Sequence, residues 1–311
     1  MAKIIGPGSI TVDITGYAPR LPVAGETLKG TTLRFGPGGK GNNQMTAAHR
    51  AGAETKIIAC RGDDFLGQIL KKHYESEGMS EDCIKVDPNA ETASALIEID
   101  ERDAQNRIIV ILAANELVDR ARVYAAEEEF KTADAVITQF ETTAEAVIAA
   151  KELANKYGKP FVLNPAPCVP MPEGTYDGVD FITPNETEAE LLTGIAVNSI
   201  EDCRKAAEKL MGMGVRNVII TLGSRGAFYY NGKEETIVPA LRMKAVDTTG
   251  AGDAFNGGFV TALAEGCSIE NALRFATCTA AISVTRRGAA NAMPHREEIL
   301  ALMKQEFGVE L

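Results

Sequence analysis

Two glycines and two aspartates fall within seven residues of the sequence, in the stretch DTTGAGD from Asp247 to Asp253. The stretch follows a short run ending at Val246, and it precedes a segment in which apolar residues recur at helical spacing. We therefore predict a strand, then a glycine-rich turn, and then a helix that begins at or near Gly250. Gly250 and Gly252 allow positive φ angles and the close approach of a ligand to the backbone.

A helix beginning there would place unpaired N–H groups and the positive end of its dipole beside Asp253. Such a helix terminus is an anion site. The amides from Gly250 through Ala251 to Gly252 could hold a phosphoryl group while the carboxylate of Asp253 takes a hydroxyl proton. That chemistry is phosphoryl transfer to an alcohol. Alternatively, Asp247 and Asp253 serve to cap and charge the start of the helix.

The composition excludes several other classes of protein. The apolar fraction of 45% and the charged fraction of 24% are ordinary for a globular enzyme of 311 residues. A net charge of −11 argues against binding to nucleic acid or to an anionic membrane. No apolar run approaches the roughly 18 residues of a membrane span. The apolar run at the N-terminus is too short for a secretory signal, so we expect a cytoplasmic protein.

Cysteine and histidine give no sign of a metal centre or a triad. The six cysteines are scattered without a C-x-x-C pair, and the three histidines are equally dispersed. We therefore expect carboxylates, rather than histidines or cysteines, to be the catalytic groups.

A second glycine-rich segment, FGPGGKGNNQ from Phe35 to Gln44, precedes an amphipathic helix. Gly36, Gly38 and Gly41 satisfy the spacing G-x-G-x-x-G, a weak indication of a dinucleotide site. A Walker A loop is absent, because Gly41 stands where that motif has Ser or Thr. Asn43 opens the predicted helix, either as its N-cap or as a polar ligand contact.

Most of the chain alternates between short buried strands and amphipathic helices, which is typical of an α/β fold with a mostly parallel sheet. The predicted strands are Lys3 to Ile10, Lys56 to Cys60, Ala135 to Thr138, Phe161 to Leu163, Phe181 to Thr183, Arg216 to Leu222 and Ala227 to Tyr230. The predicted helices include Asp64 to Glu77, Glu145 to Tyr157, Ser268 to Arg286 and His295 to Phe307, with another opened by Pro184 and Asn185.

Three further strands do not fit this alternation. They are Glu26 to Phe35, Thr92 to Ile99 and Arg107 to Leu112, the last two joined by the charged turn DERDAQN. We predict that they form a small sheet, a lid, contributed by about 11–37 and 92–112. With no repeat or linker in the sequence, we expect one domain over 1–311.

Polar residues recur where the predicted strands end. Because the carboxyl ends of parallel strands line the ligand crevice, we expect these residues at one edge of the sheet: Asp13, Glu141, Asn164, Asn185, Gly223 and the DTTGAGD turn. Asp13 would end the opening strand, or else it is an ordinary turn aspartate.

Four motifs together resemble one family. GGKGNN, from Gly38 to Asn43, and DTTGAGD are similar to the two signatures of the ribokinase (PfkB-type) carbohydrate kinases. PNETE, from Pro184 to Glu188, and TLGSRG, from Thr221 to Gly226, resemble the nucleotide-side motifs of that family. The resemblance extends from Ile4 to about Glu298. It implies a three-layer α/β fold with a small β-sheet lid.

The resemblance also implies a role for each matching residue. Asp253 would be the general base, and the amides of Gly250, Ala251 and Gly252 the anion hole. Sugar binding would involve Thr11, Asp13, Gly39, Lys40, Asn43 and Glu141. Nucleotide binding would involve Asn185, Thr221, Gly223, Ser224, Gly226, Gly252 and Thr277. Mg²⁺ would be held through water by Asn185 and Glu188, and K⁺ by a loop with Asp247, Thr249, Ser283, Arg286 and Gly288.

Three residues depart from the family pattern. Thr11 replaces an Asn that contacts the sugar, Thr277 replaces a His near the adenine in some members, and Ala292 replaces a Ser of the cation loop. The first bears on which sugar is bound, and the third bears on activation by K⁺.

The expected function is ATP-dependent phosphorylation of a sugar, foremost D-ribose at its 5-hydroxyl, by a homodimer paired through the lid. Alternative acceptors are 2-deoxyribose, fructose or another hexose, and a nucleoside. An NAD-dependent oxidoreductase and a non-catalytic sugar sensor are the alternatives from other classes.

Overall fold

The computed structural model describes residues 1–102 and 105–311. In this part of the chain the strands are β1 (Lys3–Pro7), β2 (Thr11–Ala18), β3 (Thr32–Gly38), β4 (Glu54–Gly62), β5 (Ile84–Asp87), β6 (Ser94–Asp100), β7 (Asn106–Ile111), β8 (Ala135–Thr138), β9 (Phe161–Leu163), β10 (Phe181–Ile182), β11 (Asn217–Thr221), β12 (Ala227–Tyr230) and β13 (Glu235–Val238). The α-helices are α1 (Lys40–Arg50), α2 (Phe65–Glu77), α3 (Arg120–Ala125), α4 (Glu127–Thr132), α5 (Ala144–Lys156), α6 (Glu186–Thr193), α7 (Ile200–Gly212), α8 (Ala251–Ala264), α9 (Ile269–Ser283) and α10 (Arg296–Phe307).

The central sheet has the order β13-β12-β11-β10-β9-β8-β1-β4-β5 within these residues. Its pairings are parallel from β11 to β5, whereas β12 and β13 are antiparallel to their neighbours. The inner strands β8 and β9 are buried at every position, because a parallel sheet carries helices on both faces.

Two hydrophobic cores flank this sheet, so the fold has three layers. One core packs α1, α2, α8, α9 and α10 against one face, with Phe259 and Phe275 at its centre. The other packs α3 to α7 against the opposite face around Phe130, Phe161 and Phe228. The predicted α/β class with a mostly parallel sheet is therefore confirmed. No helix within the described residues is long and apolar enough to cross a membrane.

A separate sheet with the order β3-β2-β6-β7 forms the lid. Its central pair, β2 and β6, is parallel, and the outer pairs are antiparallel. Asp13 is paired with Ala95, and Ala95 with Val110, so these three side chains share one face of the lid. The turn DERDAQN includes Asp103 and Ala104, which lie outside the described residues.

Several predicted boundaries are wrong. The opening strand ends at Pro7 rather than Ile10, and Asp13 lies in the lid strand β2 rather than at the end of the central sheet. The lid strand predicted from Glu26 is displaced to Thr32–Gly38. The run ending at Val246 is not a strand, because the last strand before α8 is Glu235–Val238.

The sequence interpretation also missed elements, among them β5, β13 and α7. The G-x-G-x-x-G interpretation lacks its structural context. Gly36 and Gly38 lie in the lid strand β3, which pairs antiparallel with β2, rather than in a turn after a strand of the parallel sheet.

Candidate active site

The start of α8 has the geometry of an anion site. Gly250 precedes the helix in the left-handed region, with φ 74°. The N–H of Ala251 donates to the carbonyl of Thr248 at 3.2 Å, so this amide is already engaged. The N–H of Gly252 meets no backbone or side-chain acceptor in the described chain, and a Cβ added to Gly252 would contact nothing within 4 Å. Gly252 therefore offers its amide to open space at the positive end of the helix.

Asp253 lies in the first turn of α8 and is 6% exposed. One carboxylate oxygen, Oδ2, accepts a hydrogen bond from Asn43 Nδ2 at 2.9 Å. The other, Oδ1, accepts from Gln44 Nε2 at 3.0 Å. Burial raises the pKa of Asp253, and Lys40, Asn43 and Gln44 oppose that rise. The carboxylate of Asp253, on α8, is thus held by two donors on α1, the helix that packs against the start of α8.

The glycines before α1 make this packing possible. Gly39 has φ 88°, and a Cβ there would lie 2.9 Å from the carbonyl oxygen of Ser9. A Cβ on Gly41 would lie 2.5 Å from the Cα of Gly8. Because α1 begins at Lys40, Asn43 lies inside the helix, so of the two alternatives for this residue the N-cap is wrong. Its side chain is free to reach Asp253.

An acidic cluster surrounds Lys40. The Glu141 carboxylate, which follows β8, accepts from the backbone N–H of Lys40 at 2.9 Å and from the Ser9 hydroxyl. Burial, together with Glu141 and then Asp253, raises the pKa of Asp13 to about 7. The pKa of Lys40 is also raised, mainly by Asp253. Three carboxylates and one ammonium group can accept and donate hydrogen bonds across adjacent hydroxyl groups.

The lid meets this cluster through two residues. A Cβ on Gly38 would overlap the carboxylate of Asp13, so only glycine leaves room for that side chain. Thr11 is the first residue of β2 and is 4% exposed, with its hydroxyl beside Gly39. The substrate-side residues predicted from the sequence are therefore brought together at the contact between the lid, α1 and α8.

A cavity of about 560 Å³ opens on the other side of the α8 start. Every residue predicted for nucleotide binding lines it: Asn185, Thr221, Gly223, Ser224, Gly226, Gly252 and Thr277. Apolar walls that the sequence interpretation missed come from Leu241, Met243, Phe255, Ala280 and Val284. Gly252 lines this cavity, whereas the carboxylate of the next residue, Asp253, joins the acidic cluster. The peptide between them is where the two compartments meet.

Asn185 and Glu188 form a capping box at the start of α6. The side chain of Asn185 accepts from the N–H of Glu188 at 2.8 Å, and the Glu188 carboxylate accepts from the N–H of Asn185 at 2.9 Å. Burial raises the pKa of Glu188, and the hydrogen bond from the Asn185 N–H and the Lys40 ammonium only partly oppose that rise. The capping box therefore feels the charge of Lys40 in the acidic cluster.

The predicted cation-loop residues come from two segments that Asp247 ties together. Its carboxylate accepts from the N–H of Thr249 at 2.9 Å and from the N–H of Gly288 at 3.0 Å. The Ser283 hydroxyl donates to the carbonyl of Ala280 at 2.8 Å, and Arg286 forms an ion pair with Glu298. The side chains of Ser283 and Arg286 are therefore engaged, which leaves backbone carbonyls and Asp247 as possible ligands.

Two groups of residues near the site escaped the sequence interpretation. Gln44 contacts Asp253 directly, and its position one residue after Asn43 was the available signal. Ile97 and Val110 lie on the same lid face as Asp13, and the period of two in their strands could have indicated this.

Comparison with known proteins shows the family of the chain. Residues 1–296 match the model of the pfkB family carbohydrate kinases. The chain is 38% identical to a ribokinase of Haemophilus influenzae over 96% of this chain and 97% of that protein. It is 35% identical to a deoxyribokinase of Salmonella typhi over 94% and 95%.

Among solved structures, an Arabidopsis thaliana ribokinase complexed with ribose and ATP superposes with a TM-score of 0.92 at 31% identity. The similarity covers 98% of this chain and 99% of that one. The chain therefore belongs to the pfkB family of carbohydrate kinases and is a ribokinase-like carbohydrate kinase.

Proposed function

We propose that this kinase transfers the γ-phosphoryl group of ATP to the 5-hydroxyl of D-ribose. The observation that carries the proposal is the adjacency of Gly252 and Asp253 at the start of α8. Gly252, with its unpaired N–H, lines a cavity of nucleotide size, and the buried carboxylate of Asp253 joins a cluster suited to hydroxyl groups. Relatives that share this fold include ribokinases, one of them complexed with ribose and ATP.

In the proposed reaction, Asp253 takes the proton of the 5-hydroxyl as its oxygen attacks the γ-phosphorus. A bond forms between that oxygen and phosphorus, and the bond from phosphorus to the β–γ bridging oxygen breaks to release ADP. The Gly252 amide and the α8 dipole stabilise the negative charge of the transferring group. Asp253 and Glu188 both raise the pKa of Lys40, and in the proposed reaction the Lys40 ammonium adds positive charge between the two substrates.

Asn185 and Glu188 suit the Mg²⁺ that such a reaction uses. Asn185 lines the cavity, and Glu188, bonded to it, lies in the first turn of α6; together they offer an amide and a carboxylate, and oxygen donors are what Mg²⁺ prefers. When bound, Mg²⁺ neutralises charge on the triphosphate. For K⁺, the ligands would be backbone carbonyl oxygens of Thr249, Ser283, Arg286 and Gly288, which lie in the two segments that Asp247 joins. We propose that K⁺ there stabilises the turn before α8.

A second candidate acceptor is 2-deoxyribose, because a deoxyribokinase is nearly as similar to this chain as the ribokinases. The departure at Thr11, beside Gly39, bears on this choice. The test is kcat/KM for ribose, 2-deoxyribose, fructose and a nucleoside, each with and without K⁺. We expect ribose to give the highest value. A tenfold preference for any other acceptor would overturn the choice of ribose.

The role of Asp253 is tested by Asp253→Asn. We expect kcat to fall by roughly 10² or more, because general bases contribute at least that factor, with little change in KM for ATP. Asp82→Asn is the matched control, since Asp82 is an exposed carboxylate of the surface. Near-normal turnover of Asp253→Asn would remove the assigned base.

We also propose that two copies of the chain pair through their lids. All six residues of β7 are exposed, and four of them are Ile or Val. An exposed apolar edge strand of this kind is ordinarily covered by a partner.

A further inference from the structure

A chain of buried polar side chains leads away from the carboxylate of Asp253. Gln44 Nε2 donates both to Asp253 Oδ1 and to Asn164 Oδ1, each at 3.0 Å. Gln44 Oε1 accepts from Gln139 Nε2 at 2.6 Å. Asn164 Nδ2 in turn donates to the backbone carbonyl of Thr183 at 3.0 Å. These side chains come from α1 and from the ends of β8, β9 and β10, and none is more than 6% exposed.

The chain returns to the start of α8. The Thr183 hydroxyl donates to Asn256 Oδ1 at 2.6 Å, and Asn256 Nδ2 donates to the carbonyl of Gly252 at 2.9 Å. That carbonyl belongs to the peptide whose N–H is that of Asp253. The network therefore holds both the carboxylate of Asp253 and the peptide between Gly252 and Asp253.

The orientation of Gln44 follows from its partners. Both oxygens facing its Nε2, those of Asn164 and Asp253, are acceptors, whereas the group facing its Oε1 is a donor. Reversing the amide would place an oxygen against an ionised carboxylate. Gln44 is therefore fixed as a donor to Asp253, and it favours the ionised form of that residue.

We propose that Gln44 is the positioning residue of this kinase: it aims the Asp253 carboxylate and keeps it ionised, and Gln139 and Asn164 lock its own orientation. The inference rests on the proposed function, because it assigns a role through the proposed base. Gln44 itself touches neither substrate in this role.

Other charged groups also act on Asp253. Lys40 on α1, Glu141 after β8, Asp13 on β2 and Glu188 on α6 all interact with it electrostatically. A substitution of Gln44 by Met keeps the length of the side chain and leaves each of these charges in place. It removes one of the two hydrogen bonds that Asp253 accepts from side chains on α1.

The experiment measures kcat and KM for the preferred sugar and for ATP from pH 5 to 9 in Gln44→Met. We expect kcat at pH 7 to fall about tenfold and the acid limb of its pH profile to move up by about one pH unit, as loss of a hydrogen bond to a charged form predicts. KM for ATP should stay unchanged. Gln139→Met should move the same limb in the same direction by a smaller amount, and it provides a second test if Gln44→Met does not fold.

The matched control is Asn42→Leu. Asn42 is equally buried on the same helix, but its side chain has no hydrogen-bond partner among the described residues. We expect its pH profile to match that of the unchanged protein. A shift of equal size in Asn42→Leu would reveal a general effect of altering α1 and would overturn the proposal.

A double substitution separates positioning from a structural role. In the Asp253→Asn background, Gln44→Met should change kcat by less than about twofold, because residues that act through one group are not additive. A tenfold loss in that background, or an unmoved acid limb in the single variant, would overturn the proposal. If the unchanged protein phosphorylates no sugar, the proposed function fails. If it does and Asp253→Asn is impaired while Gln44→Met is normal, only the role of Gln44 fails.

Discussion

At the scale of single residues, the site depends on how a buried carboxylate is kept usable as a base. Burial pushes the pKa of Asp253 upward, and two side-chain amides and one ammonium oppose it. Burial beside two other acids, Glu141 and Asp253, raises the pKa of Asp13 to about 7. In the proposed function the two acids have different tasks. Asp253, held by these donors at the start of α8, takes the proton, and Asp13 accepts hydrogen bonds from hydroxyl groups of the sugar.

The first prediction concerns Asp13 and the pH dependence of sugar binding. Its carboxyl is mostly ionised at pH 8 and mostly protonated at pH 6, because its pKa is about 7. If the ionised form binds the sugar, KM for the sugar rises as pH falls below 7, by up to roughly tenfold per pH unit. Asp13→Asn should have a higher KM at pH 8 and should lose this dependence. A KM that is constant from pH 6 to 8 in the unchanged protein would contradict the assignment.

Stability provides a second measurement on Asp13. Its pKa is higher in the folded protein than the reference value of 3.8, so the folded state binds the extra proton between these values. Asp13 therefore lowers stability progressively as pH rises from about 4 to about 7. We expect Asp13→Asn to raise Tm at pH 8, and to raise it less at pH 5. A lower Tm at pH 8 would show that the buried charge is better compensated than the structure indicates.

Thr277 is predicted to form a hydrogen bond with the nucleotide. Its hydroxyl is buried at the cavity wall and has no partner within the described chain. Thr279, on the same helix, donates to the carbonyl four residues earlier at 2.8 Å. A buried unpaired hydroxyl is costly, so we expect it to bond the nucleotide. Thr277→Val should raise KM for ATP by about two- to tenfold, the value of one hydrogen bond, without changing KM for the sugar.

Thr279→Val is the control for this measurement. It makes the same chemical change on the same helix, at a residue that does not itself line the cavity. Equal KM values for ATP in the two variants would argue against a nucleotide contact at Thr277.

At the scale of elements, the start of α8 was predictable from the sequence, but the sheet to which Asp13 belongs was not. The spacing of glycine and aspartate predicted a helix near Gly250, because glycine allows the left-handed conformation before the helix and an acidic residue is favoured in its first turn. The break between Pro7 and Thr11 moves the chain from the central sheet to the lid, and the apolar pattern continues through it. Sheet membership depends on pairing with distant strands, which local spacing does not reveal.

Asn43 illustrates the same limit within a helix. Its residue type left open an N-cap or a ligand contact, and the N-cap is wrong because α1 begins three residues earlier, at Lys40. The earlier start depends on Gly39 and Gly41 packing against Ser9 and Gly8, contacts between segments about thirty residues apart. The chemistry of the motif was readable from the sequence, whereas its placement required the tertiary contacts.

The turn before α8 yields a prediction about element geometry. Gly250 has φ 74°, and a Cβ there would lie 3.1 Å from the Cβ of Ala289. Gly250→Ala therefore adds both backbone strain, about 1–2 kcal/mol, and a close contact with the predicted cation loop. We expect it to lower both Tm and kcat.

Gly266→Ala is the matched control at the other end of α8. Gly266 has φ 79°, but a Cβ there meets nothing within 4 Å. This variant should lose stability through strain alone and keep its kcat. A normal kcat in Gly250→Ala would show that catalysis tolerates movement of the turn.

At the scale of the whole molecule, the lid carries an apolar strand, β7, that the chain's own packing leaves exposed. The lid contacts the rest of the chain near Asp13 and through an edge-to-face pair between Phe35 of β3 and Phe65 of α2, with ring centroids 5.9 Å apart. Farther along the sheet, Ile97 and Ile108 pair on the face that carries Asp13. Ile108 is 52% exposed. A second lid laid over this face would bury these side chains and shield the sugar site.

Pairing of lids predicts a dimer that one substitution should separate. Ile108→Asp places a charge on the face proposed to be buried, and unpaired charges are poorly tolerated in an apolar contact. We expect the unchanged protein to sediment as a dimer and Ile108→Asp as a monomer with a raised KM for the sugar. Ile237→Asp is the control, because Ile237 is similarly exposed but lies on β13, the far edge strand of the central sheet. Since the lid would still cover its own site in a monomer, activity is expected to fall rather than vanish. A protein that sediments as a monomer without any substitution would refute the lid-to-lid pairing.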